Sequence, residues 1–200
     1  MYPPKYHQED DIKKMIAVIE AYPLGMLVSV LDGKPLVTHI PIIYNHRIQK
    51  LVAHIDKYNP QVETLKDGAE VTVIFRGPDA YISPSIYTTT QLPTWNYIFV
   101  HLTGTITLIN DPEEAKKTMI AMTEFLEGAA QKYVLEPDNK RMEGAVNYIK
   151  AFEIEITHWE GKFKLSQDKV KQDQLNAKEA LKQNAKKDRD GFIGGMYKSD

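Results

Sequence analysis

The chain has 200 residues, a formal net charge of −2, 42% hydrophobic and 26% charged residues. That is enough chain for one domain with a substantial core, and the balance gives no global drive toward nucleic acid. Cysteine is absent, which excludes a disulfide scaffold, a zinc-thiolate site, an iron–sulfur cluster and a Cys nucleophile, and fits a reducing cytoplasm.

The opening MYPPKYHQEDD is polar and acidic. It lacks the basic and apolar regions of a secretory signal, and no apolar run approaches the length of a membrane span, so a cytoplasmic protein away from membranes is expected. Ile12, Met15, Ile16 and Ile19 recur at helical spacing, predicting a helix over 10–22, capped by Asp10 or Asp11 and stopped by Pro23. A β region follows. Strands are predicted over 25–31, 35–44, 48–55 and 70–75, with Asp32-Gly33 as a hairpin turn and a second turn at 45–47. A fifth is expected over 98–109, with Gly104 as a bulge. Asp111-Pro112-Glu113-Glu114 opens a helix running to about 127, and FEIEITHW at 152–159 alternates as a half-buried strand does. Residues 168–187 read as a charged surface helix and the glycine-containing segment from 188 as a mobile tail, so the expected organisation is a domain over 1–167 with an appendage. Six short strands with tight turns indicate a mainly antiparallel barrel or sandwich flanked by helices.

Four segments are unusual for a plain barrel. Thr38-His39-Ile40-Pro41 places a proline inside a strand, which either protects an edge or leaves backbone groups free to face a ligand. His54, Lys57, Asn59 and Gln61 surround a strand end and a helix start, a combination suited to phosphate, although loop lysines are more often only solvated. The run 77–97 carries Tyr81, Tyr87, Trp95 and Tyr97 with few charges. It must pack on something, either a second subunit or a flat ligand. Gly161 to Gln167 follows the FEIEITHW strand with two cations, Lys162 and Lys164, and two polar side chains, Ser166 and Gln167, read either as a basic hairpin end or as a positive group near the pyrimidine edge of a flavin. The six histidines have no metal-binding spacing, and each is expected to be a satisfied structural residue.

Taken together, Pro23-Leu24-Gly25, Thr38-His39-Ile40-Pro41, His54 with Asn59-Pro60, Phe75-Arg76-Gly77-Pro78, Ala80-Tyr81-Ile82-Ser83-Pro84, Pro93-Thr94-Trp95-Asn96-Tyr97 and Lys164-Leu165-Ser166-Gln167, after an opening Tyr2-Pro3, resemble the PaiB family. These are FMN-binding negative transcriptional regulators among the split-barrel flavoproteins related to pyridoxamine phosphate oxidase. The resemblance implies an antiparallel split β-barrel that holds FMN between the subunits of a homodimer. Thr38, His39, Ile40 and Pro41 would line the isoalloxazine; His54, Lys57, Asn59 and Gln61 would lie near the ribityl phosphate; Trp95, Asn96, Lys164, Ser166 and Gln167 would complete the site from the partner. The chain departs from the family pattern at Ile86 and Phe163, where tryptophan is usual, and at Asp168, where asparagine is usual. These departures bear on flavin affinity rather than on the fold. No helix-turn-helix is legible, so direct DNA binding is not supported. The alternatives are a flavin-dependent oxidoreductase, a haem-binding relative, and a dimer that has lost its ligand.

Overall fold

The computed structural model describes residues 4–185; the expected tail from 188 and the Tyr2-Pro3 arm lie outside them. Among the described residues there are seven strands: β1 (Gln8–Glu9), β2 (Leu24–Leu31), β3 (Lys34–Asn45), β4 (Lys50–Asp56), β5 (Glu70–Ile82), β6 (Thr94–Ile109) and β7 (Ile149–Lys164). The helices are α1 (Ile12–Ala21), α2 (Pro112–Glu127), α3 (Lys140–Ala145) and α4 (Lys171–Asn184). The strand order is β1-β7-β4-β3-β2-β5-β6, and β7 also pairs with β6, so six strands close into a ring. The expected antiparallel barrel is present, with the two-residue β1 added at its edge.

The chain forms two compact units. The larger comprises Glu9–Arg76 and Phe99–Gly161. Its hairpin between β2 and β3 turns at Asp32 and Gly33, whose φ values of 50° and 76° match the twist of the flanking strands. Strand alternation sends Leu27, Ile42, Leu51, Phe75, Leu102 and Phe152 inward, each 1% exposed or less. Burying each such side chain contributes about 1.5–3 kcal/mol. Gly104 lets β6 approach β7: a Cβ there would stand 2.5 Å from the Glu155 carbonyl oxygen. Helix α1 starts at Ile12, with the Asp11 carboxylate accepting from the Lys13 amide at 2.9 Å. Its buried residues are Met15, Val18 and Ile19; Ile12, at the exposed first turn, is 48% accessible. Helix α2 begins behind Asp111 as expected and packs Met122 on Ile43 and Val52.

The smaller unit comprises Gly77–Ile98 with the described residues before Glu9 and after Gly161. The two ends of the 77–97 run are strand: β5 continues to Ile82, and β6 begins at Thr94. Helix α4, read from its sequence as a charged surface helix, also carries a packed face. Its Ala177 and Leu181 pack against Ala80 and Ile82, with Ile86, Tyr87 and Leu165 around them. Asp173 in its first turn is fully buried. Small and aliphatic residues separated by four positions make a narrow apolar stripe that the high charge of the surrounding sequence conceals. Among the described residues no helix is long and apolar enough to cross a membrane.

Candidate functional site

In the larger unit, the outward face of three adjacent strands is apolar. Val37, Val28 and Thr72 lie opposite one another across β3, β2 and β5, followed by His39, Met26 and Ile74; Leu24 faces Pro41 beyond them. Leu24, Val30 and Val37 are 62%, 63% and 49% exposed. A cavity of about 630 Å³ opens on this side, lined by Tyr22, Met26, His39, Ile74, Arg76 and Phe99. It is a predominantly apolar groove with an imidazole and a guanidinium at hand, a combination that suits a flat, partly polar ligand.

The alternation of β3 divides the Thr38–Pro41 motif. His39 and Pro41 are exposed on the outward face, whereas Thr38 and Ile40 turn the other way and are half-buried and buried. Thr38 Oγ1 accepts a hydrogen bond from Asn59 Nδ2 at 3.1 Å, and Asn59 Oδ1 caps the 3₁₀ turn Pro60–Thr64 by accepting from the Gln61 amide at 2.9 Å. Gln61 is 1% exposed. Its Nε2 donates toward the Leu27 and Leu36 carbonyls and the Ser29 hydroxyl, while its Oε1 is buried without a hydrogen-bond partner among the described residues. Gln61 thus ties the turn to β2 and β3. Lys57 donates to the Asn147 carbonyl at 2.5 Å and lies 4.7 Å from the Tyr148 ring centroid, so its ammonium stands exposed at the end of β4 and fastens the segment before β7.

The expectation that every histidine is satisfied is wrong for two of them. His54 Nδ1 and His7 Nε2 are buried without hydrogen-bond partners among the described residues. Burial holds the pKa of His54 below its ordinary 6.5, and of His7 likewise, assisted there by the Lys164 charge. Spacing along the chain cannot reveal this, because the missing partner is a property of the packed surroundings.

In the smaller unit, Asn96 and Ser166 are 1% and 3% exposed. Their side chains lie 3.0 Å apart, and the Tyr87 hydroxyl reaches the same serine at 3.0 Å. Ser166 has φ 64°, a left-handed conformation that these bonds hold in place. Gln167 folds back on its own segment, accepting from the Leu165 amide at 2.7 Å and donating to the Phe163 carbonyl. Lys164 Nζ donates to Thr94 Oγ1 at 2.6 Å. Trp95 is 43% exposed, its indole N–H bonded to Asp79 at 2.9 Å. The expected residues therefore fall into two groups, one per unit. One polar residue escaped sequence reasoning: Asp173, which accepts from the Thr88 amide and the Thr88 and Thr89 hydroxyls at 2.6–2.7 Å. The Thr88-Thr89-Thr90 run was the available signal for it.

A family model described as "Putative FMN-binding domain" matches residues 1–158. The chain is 30% identical over 192 residues to the protease synthase and sporulation protein PAI 2 of Bacillus subtilis, covering 90% of this chain and 89% of that protein. Among solved structures it resembles the FAD and heme binding protein of Mycobacterium smegmatis, with TM-score 0.65, 18% identity, and 86% of this chain and 80% of that one covered. It also resembles the flavocytochrome Anf3 of Azotobacter vinelandii, with TM-score 0.64, 16% identity, and 81% and 72% covered. At these identities the solved structures establish the split-barrel fold.

Proposed function

Because this chain belongs to the FMN-binding domain family and is a flavin-binding protein, we propose that it holds FMN at the interface of a homodimer and acts, like the PaiB regulators it resembles, as a cytoplasmic regulatory flavoprotein. The observation that carries this reading is the exposed apolar face of β2, β3 and β5, with Leu24, Val30 and Val37 open to solvent beside the Met26–His39–Ile74 groove. Such a continuous patch costs hydration free energy on a monomer and is relieved when a second copy covers it.

The residues fit the cofactor. Met26, Ile74 and Phe99 supply an apolar bed for a flat ring, and His39 a polar edge. His54 has a buried nitrogen with no partner among the described residues, and Asn59 is already oriented by Thr38. Lys57 would offer the charge for the phosphate, and the Trp95, Asn96 and Lys164–Gln167 group would be supplied by the partner subunit. Bound flavin supplies one- and two-electron redox chemistry; the protein's own part is to exclude water, orient the ring and keep His54 neutral. A regulatory effect exerted without operator recognition suits the residues better than direct DNA binding. The connection between α2 and α3 runs from Gly128 to Asn139, far longer than the turn of a helix-turn-helix.

Sedimentation with flavin quantitation tests the reading. The wild type should run as a dimer carrying one FMN per subunit, and Met26→Glu should yield a folded monomer with little flavin. A wild-type monomer that retains flavin would disprove the interface model.

A further inference from the structure

Within the smaller unit lies a cavity of about 380 Å³ lined by Tyr6, His7, Thr94, Lys164, Ser166 and Lys169, among others. Three features set it apart from a surface depression. His7 is only 6% exposed, and its Nε2 has no hydrogen-bond partner among the described residues. A buried imidazole nitrogen left in this state forfeits the hydrogen bond it would make to water, a cost that structures rarely carry without a reason. Lys164 uses one of its three ammonium hydrogens on Thr94 Oγ1. Finally, Asp168, which also lines the cavity, is already paired with Lys169 at 2.7 Å, so with Lys164 the lining carries a surplus of positive charge.

The geometry points to a binding site for a small molecule bearing an oxyanion, a carboxylate or a phosphate, held by the Lys164 ammonium and accepting a hydrogen bond from His7 Nε2. A neutral imidazole protonated on Nε2 donates to an oxygen acceptor without needing a charge of its own, and burial, followed by the charge of Lys164, favours that neutral form. Lys169 neutralises Asp168, so that carboxylate does not repel the ligand. The volume accommodates a metabolite-sized molecule rather than a bare ion. The inference does not rest on the flavin-interface reading, since every lining residue belongs to the smaller unit. The oxyanion has two sources, a free acid or phosphate, or the phosphate of FMN itself.

Titration of the full chain, followed through the imidazole resonances, tests it. The His7 signal, assigned by its loss in His7→Phe, should shift saturably with inorganic phosphate and with acetate, while exposed His46, paired with Glu20, should not follow the same curve. Lys164→Met should weaken the apparent affinity about tenfold, equivalent to about 1.4 kcal/mol. Lys164→Arg should restore most of it, and Lys169→Met should weaken it less. If FMN but not riboflavin reproduces the His7 shift and blocks phosphate, the flavin's own phosphate fills the site, Lys57 loses the phosphate role proposed above, and the assignment stands. If phosphate still shifts His7 after FMN is bound, the ligand is a separate small anion and the assignment also stands. A His7 signal that ignores phosphate, acetate and FMN, or drifts in parallel with His46, overturns it. Flavin absorbance read in the same samples separates this outcome from a failure of flavin binding.

Discussion

Two buried polar side chains do more for this structure than their chemistry would suggest from the sequence. The Gln61 amide donates toward two backbone carbonyls and a serine hydroxyl inside the larger unit. Gln61→Met keeps the volume but leaves those acceptors without their donor, and should cost about 1–3 kcal/mol in urea unfolding with an unchanged m-value. Asp173 performs the corresponding task in the smaller unit. Burial alone would raise its pKa, but the hydrogen bonds from Thr89 and Thr88 outweigh burial and hold the carboxyl below its ordinary 3.8. Because the folded pKa is the lower one, the ion stabilises the fold above pH 3.8, and that contribution fades as pH falls through the folded value. Asp173→Asn should therefore lower the melting temperature at pH 7 and by a smaller margin near pH 3. An equal difference at both pH values would show that the hydroxyls gain nothing from the charge. His54 adds an acid sensitivity of its own. Its folded pKa lies below 6.5 because of burial, so the unfolded chain takes up the proton first and stability declines as pH falls below that value.

Among the elements, the pairing of β6 with β7 closes the ring, and it depends on the absence of one side chain. A Cβ on Gly104 would stand 2.5 Å from both the Glu155 carbonyl oxygen and Ile154 Cγ2, a backbone atom and a buried neighbour that cannot both yield. Gly104→Ala is expected to destabilise by about 1–3 kcal/mol or more, read from chemical denaturation. Gly144, in α3, has nothing within 4 Å of a Cβ, so Gly144→Ala should be neutral or slightly stabilising and serves as the control. Helix α4 shows the limit of periodicity as a guide. Lysine, glutamine and glutamate dominate it, yet Ala177 is fully buried. The helix is held by a thin apolar stripe and by one carboxylate that finds its partners across more than eighty positions of chain.

At the scale of the whole molecule, dimerisation and flavin binding are linked in the proposed arrangement. Anything that binds only the folded dimer raises stability by mass action. The melting temperature should rise with protein concentration, and saturating FMN at about a hundred times its dissociation constant should add about 2.7 kcal/mol. Differential scanning calorimetry over a range of concentrations checks both. A melting temperature independent of concentration would argue against a folding-linked dimer.

The alternation of apolar residues, the Asp32-Gly33 turn and the Asp111-Pro112 helix start are local patterns, and they determine the strands, the hairpin and α2 without reference to anything distant. The short motifs from Thr38 to Gln167, in their order and spacing, likewise determine the split-barrel family and its flavin. Other properties arise only when distant segments meet. Four consecutive residues at 38–41 read as one ligand surface, but a strand sends alternate side chains to opposite faces, so His39 and Pro41 are parted from Thr38 and Ile40. Whether a histidine nitrogen is satisfied, whether a lysine is free or fastened to a carbonyl, and whether an aspartate on a charged helix is buried all depend on which atoms the fold brings within hydrogen-bond distance. His7, Lys57 and Asp173 are decided there because hydrogen bonding and desolvation act over a few ångströms of space, and sequence separation does not measure that distance.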